Sequence, residues 1–205
     1  MQDSSSSAQP LHGVRVAILV DDGFEQIELT EPREALRAAG AVTTIVSPQT
    51  STVQGWNSDE KGDAFPVDVS LADANPSNFD ALLLPGGVRS PDTLRTNNKA
   101  VLFAHAMEIA RKPIAAICHG PWLLVETGCV RDRKMTSWPS LRTDIVNGGG
   151  TWVDQAVVRD ELLVTSRKPA DIPKFNDAAI ALFAEKNAKP SLRESRPAKA
   201  KAAST

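Results

Sequence analysis

Short, wholly apolar runs alternate along this chain with longer segments whose apolar residues recur every three to four positions. Residues 81–84 and 114–117 are apolar at every position. A strand with one wet face alternates, so an uninterrupted run reads as a parallel strand covered on both sides. Residues 14–20 and 42–46 read the same way. Between them, residues 24–39 predict a helix closed by Gly40, with Pro32 expected to kink it or break it in two. Residues 98–111 predict another, ended by Pro113.

After the strand at 114–117 the chain turns at Cys118-His119-Gly120. Pro121 suits the first turn of a helix, because its fixed φ fits and its missing N–H has no partner to lose there. That helix runs to Thr127, and Gly128 ends it. Residues 140–147 predict a helix stopped by Gly148-Gly149-Gly150. Residues 152–158 and 162–165 predict two strands about a turn at Arg159-Asp160-Glu161. Asp171 reads as the N-cap of a last helix reaching about Lys186, with Pro173 in its first turn. Residues 52–69, rich in Gly, Asp and Pro around Trp56 and Phe65, predict short strands or a hairpin at the sheet edge. Residues 130–139 show no regular pattern. Strands alternating with helices imply an α/β fold, a mostly parallel sheet with helices on both faces and ligands at the carboxyl ends of its strands.

Composition narrows the function. With 205 residues, 41% of them hydrophobic, the chain suits one domain with a sizeable core. We read residues 1–13 as a disordered arm, 14–186 as that domain, and 187–205 as a solvated basic tail. A net charge of −2, with no basic stripe interleaved with aromatics, gives no sign of a nucleic-acid surface. No apolar run would span a bilayer, and the start, Met1-Gln2-Asp3-Ser4, lacks the charged and apolar regions of a signal peptide. The two cysteines, Cys118 and Cys129, form no disulfide framework, CxxC pair or zinc-ligand spacing, so a reducing cytoplasm and no metal are expected.

Cys118 is the candidate nucleophile. A thiol between a strand and a helix N-terminus meets unpaired N–H groups and the positive end of the helix dipole, which favour the thiolate. The alternative is a small hydrophobe packed at a strand end. Three turns leave strand ends on the same edge: residues 21–28, 85–92 and 118–121. The first supplies Glu25 and Glu28, on one helical face, with Glu28 near an apolar stripe. An acid there has a raised pKa and can shuttle a proton, or both glutamates only complement the helix dipole. In the second, Gly86-Gly87 lets the main chain approach closely and offers N–H groups to an oxyanion, or simply supplies positive φ. Of three histidines, His12 lies in the arm and His105 is mid-helix. None follows His119, which disfavours an amidotransferase or hydrolase triad with a downstream base. Position 116 is also Ala, where the nucleophile elbow has Gly. An imidazole that helps is therefore His119, whose adjacency makes its geometry awkward and which needs an acid to orient it.

The stretch Ala115-Ala116-Ile117-Cys118-His119-Gly120-Pro121, together with Leu84-Pro85-Gly86-Gly87 and Phe24-Glu25-Gln26-Ile27-Glu28-Leu29, resembles the PfpI family of the wider DJ/PfpI superfamily. Thr136-Ser137-Trp138-Pro139-Ser140 and Thr165-Ser166-Arg167-Lys168-Pro169 are similar to its bacterial stress-protein branch. The likeness covers residues 14–184 and implies a flavodoxin-like three-layer sandwich, related to class I amidotransferases. It implies Cys118 as nucleophile, Glu28 as the acid against its sulfur, Glu25 as a second acid and His119 as the histidine after the cysteine. The triad's third member would come from a neighbouring subunit. Asp92 occupies that place, an Asp where the family has Glu, in a turn one residue longer.

The resemblance also implies a homodimer or larger assembly. Activities attributed to the family are deglycase, glyoxalase and peptidase, with redox sensing or chaperoning as non-enzymatic alternatives. The leading expectation is a cofactor-free stress enzyme. In it Cys118 attacks a dicarbonyl or glycated adduct, Glu28 relays the proton, and the N–H groups of Gly87 and His119 hold the oxyanion. The alternatives are a cysteine peptidase using a trans Cys118-His119-Asp92 triad and a sensor whose Cys118 is oxidised to a sulfinic acid.

Overall fold

The computed structural model describes residues 9–187. In chain order its elements are β1 (Arg15–Leu19), β2 (Phe24–Glu25), α1 (Gln26–Ala38), β3 (Val42–Ser47), β4 (Thr52–Asn57), β5 (Glu60–Pro66) and β6 (Val69–Ser70). Then come β7 (Ala81–Leu84), α2 (Arg89–Thr96), α3 (Asn98–Ile109), β8 (Ile114–Ile117), α4 (Pro121–Thr127) and β9 (Lys134–Met135). The last are α5 (Arg142–Asn147), β10 (Thr151–Trp152), β11 (Val157–Asp160), β12 (Leu163–Ser166) and α6 (Ile172–Asn187).

The main sheet has the order β11-β12-β8-β7-β1-β3-β6. Its pairs are parallel except β11 with β12. Alternate residues of β1 enter different cores. Val16 and Ile18 pack with Leu29 and Leu36 of α1 and Phe175 and Leu182 of α6. Ala17 and Leu19 pack with Phe103 and Met107 of α3 and Leu123 and Leu124 of α4. Two buried faces explain why these strands read as unbroken apolar runs. The result is the flavodoxin-like three-layer sandwich.

The structure corrects several expectations about elements. Phe24 and Glu25 are not helical; they pair with Gly55 and Trp56, and the helix starts at Gln26. Pro32 does not divide it, because buried Leu29, Pro32 and Leu36 hold α1 to the sheet on both sides of the lost N–H. The β4–β5 hairpin joins β2 in a separate three-stranded sheet, and only β6 extends the main sheet's edge. The turn after β7 is shorter than residues 85–92, since Arg89 already begins α2. The expected strand at 152–158 is two, β10 pairing with β9 and β11 with β12. Asp171 precedes α6, but its carboxylate accepts from the Arg167 guanidinium at 2.8 Å and 3.1 Å. Of the expected disordered arm, residues 9–13 form an ordered turn in which Leu11 is wholly buried and donates its N–H to Ala39. Residues 1–8 and 188–205, holding the rest of the arm and the tail, lie outside the described residues.

Candidate active site

Strand β8 delivers Cys118 to the carboxyl edge of the sheet, and the backbone there is strained. Cys118 has φ +61°, a left-handed conformation that side chains rarely adopt. Its N–H donates to the Ser166 carbonyl at 3.0 Å and its carbonyl accepts from Trp138 N–H at 2.8 Å, so neighbouring segments hold the turn on both sides. The side chain is 6% exposed. The N–H groups of Gly87 and His119 point at its sulfur.

Glu28, from the first turn of α1, lies under this thiol with no exposed surface. Its Oε2 accepts from Gly86 N–H at 3.0 Å, and Oε1 has no hydrogen-bond partner of regular geometry. Burial, reinforced by the charge of Glu25, raises its carboxyl to about 8 against the hydrogen bonds from Cys118, Gly86 and Gly87. Near neutral pH the acid therefore favours its protonated form. Gly86 makes the approach of the two groups physically available. A Cβ there would stand 2.5 Å from Glu28 Oε2 and 2.6 Å from Cys118 Cβ, inside van der Waals contact.

One electrostatic expectation is overturned. Burial, and next the charge of Glu28, push the Cys118 thiol up, although the N–H groups of Gly87 and His119 oppose this. Cys118 and Glu28 are thus a coupled pair in which a charge on either disfavours a charge on the other.

His119 reaches the sulfur that its adjacency seemed to deny it. The left-handed turn at Cys118 brings Nδ1 3.2 Å from Sγ, while Nε2 lies 3.3 Å from Ser140 Oγ. The ring stacks on Trp138 with centroids 5.9 Å apart and lies 5.7 Å from Trp122. Burial lowers its pKa to about 4, so the ring is neutral at physiological pH. Within the chain its second nitrogen thus meets a hydroxyl, not an acid. Asp92 is exposed on α2 and is not among the residues lining the cavity.

Cys118, Glu28, His119 and Gly87 open on a cavity of about 540 Å³. Glu25 lines its mouth and accepts Ser58 N–H at 3.1 Å. Trp56, Arg89, Trp138 and Pro169 complete the walls and went unnoticed as site residues in the sequence. A lone Trp in a weakly patterned hairpin and an Arg after Gly-Gly carry no local signal of a pocket. Ser140, two residues after a tryptophan and far from the elbow, carried none either. His105 lies apart, 3.6 Å from Glu108 on α3. Among the described residues no helix is long and apolar enough to cross a membrane.

Comparison with known proteins fits this geometry. The sequence profile of the DJ-1/PfpI family matches residues 14–182. The chain is 43% identical over 172 residues to "Protein/nucleic acid deglycase 2" of Escherichia coli, covering 82% of this chain and 97% of that protein. It is also 43% identical over 174 residues to "General stress protein 18" of Bacillus subtilis, covering 83% and 98%. A two-domain protein of Anabaena variabilis, with DJ-1/ThiJ/PfpI-like and ferritin-like domains, superposes with a TM-score of 0.79 at 29% identity. That match covers 90% of this chain, which spans about half, 52%, of the two-domain protein.

Proposed function

Given that the chain belongs to the DJ-1/PfpI family, we propose that it is a cysteine-dependent enzyme that cleaves dicarbonyl adducts from amines and thiols. The observation that carries this reading is a buried carboxyl against a buried thiol, both lining a cavity of about 540 Å³. A relative named as a deglycase, 43% identical and matched over 97% of its length, supports this reading.

The groups present support a step in which charge never has to sit alone in the pocket. The hemiaminal C–N bond breaks as its hydroxyl proton passes to the departing amine, and Cys118 Sγ bonds to the aldehyde carbon so freed while its own proton passes to His119 Nδ1. The aldehyde electrons move to oxygen, which takes the proton of the Glu28 carboxyl. The N–H groups of Gly87 and His119 steady the charge while it lies on sulfur and remain close as it moves to oxygen. The Glu28 carboxylate moves the remaining hydrogen of that carbon to the neighbouring ketone carbon through an enediol, leaving a thioester on Sγ. Water then adds its oxygen to the acyl carbon and gives its proton to Glu28, the His119 proton returns to the sulfur, and lactic acid leaves. For an adduct of methylglyoxal the sum is adduct plus water giving free amine and lactic acid, with an internal transfer of oxidation level and no external redox partner.

The same contact of Cys118 and His119 would serve a peptidase if Asp92 of a second copy reached His119 Nε2. An assay of wild type, Cys118→Ser and Glu28→Gln on methylglyoxal, a methylglyoxal-modified amine and a denatured protein separates these readings. We expect lactate and free amine from wild type and neither from Cys118→Ser. Full rates in either variant overturn the proton and nucleophile assignments. Cleavage of the denatured protein alone replaces the deglycase reading with the peptidase one.

A further inference from the structure

One charged group in the cavity wall is not used by the chemistry above. Arg89 is the first residue of α2 and lines the same cavity as Cys118. Its stem rests on Gly23, where a Cβ would stand 2.5 Å from Arg89 Cβ and where φ is +84°. Its guanidinium carbon lies 5.0 Å from the centre of the Trp56 ring. A guanidinium over an aromatic ring still has N–H donors to offer, in a planar fork matching carboxylate or phosphate.

The fork has no internal partner. Arg15, Arg95 and Arg167 each pair with a carboxylate, whereas Arg89 makes no ion pair with any described residue. Glu25 and Asp59 line the same cavity, and neither forms an ion pair with Arg89. The acid on the floor, Glu28, is uncharged at neutral pH and does not repel an anion. A volume of about 540 Å³ also exceeds what a three-carbon dicarbonyl fills and suits a larger ligand.

We propose that Arg89 anchors an oxyanion, so that the preferred substrates of this site carry a carboxylate or phosphate beyond the carbonyl that Cys118 attacks. This deepens the adduct-cleaving reading and rests on it for the identity of the substrate. Trp56 is then a positioning residue, acting through the guanidinium that it holds.

Two measurements test the anchor, and one of them needs no turnover. Alkylation of Cys118 by anionic iodoacetate and by neutral iodoacetamide is followed by peptide mass for wild type, Arg89→Lys and Arg89→Gln. The rate ratio of iodoacetate to iodoacetamide should fall about tenfold in Arg89→Gln and by less in Arg89→Lys, which keeps the charge without the fork. An equal ratio in all three overturns the anchor. The second measurement compares kcat/KM for methylglyoxal adducts of N-acetylcysteine against its amide, and of guanosine monophosphate against guanosine.

Wild type should favour the charged member of at least one pair by about tenfold, and Arg89→Gln should bring that ratio close to one. The pair that responds tells carboxylate from phosphate. No charge preference in either pair overturns the proposal while leaving adduct cleavage standing. An alkylation ratio that depends on Arg89, in a protein that turns over none of the adducts, keeps the anchor and removes the deglycase reading.

Discussion

Cys118 and Cys129 are both buried, unpaired thiols beside a glutamate, yet their surroundings differ in kind. Cys129 follows the end of α4, its N–H donating to Thr127 Oγ1 at 3.2 Å. Burial, with the charge of Glu108, pushes its thiol up to about 12 while Arg133 opposes. The space it faces is about 20 Å³, room for roughly one water molecule. Cys118 has similar burial and an acid as neighbour, but it sits on a left-handed turn, receives two backbone N–H groups and opens on about 540 Å³. Burial beside an acid therefore does not mark a reactive cysteine. Donors that accompany the charge as it moves, and space for a substrate, make the difference.

The comparison breaks most directly at the sulfur. Cys118→Ser should lower kcat/KM roughly 10³-fold or more, because an alkoxide is far harder to form in this pocket than a thiolate. Cys129→Ser should leave kcat/KM within about twofold. A hydroxyl moved from water to this buried position should still cost it about 1 kcal/mol of stability even with Glu108 as acceptor, visible in thermal melts. Equal losses of activity in the two variants would erase the distinction drawn here.

Glu28→Gln comes next, with an expected loss of about 10²–10⁴-fold in kcat, the usual value of a positioned proton. Wild-type activity that needs the protonated acid should decline as pH rises through about 8, and the variant should lack that decline. Stability should move in the same direction as pH rises. The folded acid binds its proton more tightly than the unfolded one, so native stability falls between the ordinary carboxylate range and about 8. Glu28→Gln should thus melt above wild type at pH 8 and show a smaller gain at pH 5.

His119→Asn should reduce kcat about 10–100-fold and remove the acid limb of the profile, which we expect near 4, where the wild-type ring becomes charged. A smaller effect than His119→Asn belongs to Asp92→Asn. A contribution in trans should appear as a loss of about threefold to tenfold that shrinks on dilution, as separated wild-type chains lose the same group, measured as specific activity against protein concentration. Specific activity independent of both the substitution and the dilution would confine the site to one chain.

Much of this was legible before any coordinates. The unbroken apolar runs announced a sheet buried on both faces, and Cys118, Glu28 and the Gly86-Gly87 turn stood out through burial pattern and turn chemistry. What escaped depended on contacts between distant segments. Phe24 and Glu25 look helical by spacing, but their backbone groups find strand β4 instead. Asp171 looks like a cap, but Arg167 claims its carboxylate. Trp56, Arg89 and Ser140 join the site only because the hairpin, α2 and the segment before α5 meet over the elbow.

The sequence by itself determined the layered architecture, the strand ends that meet at one edge and the sulfur at their centre, because hydrophobic period and turn residues act over a few neighbouring positions. The tertiary structure alone decided the charge state of the site. Whether Glu28 keeps its proton, whether Cys118 loses one and whether His119 can receive it depend on how much water is excluded and which donors remain. Solvation is a property of the assembled pocket, so no single stretch of chain carries it.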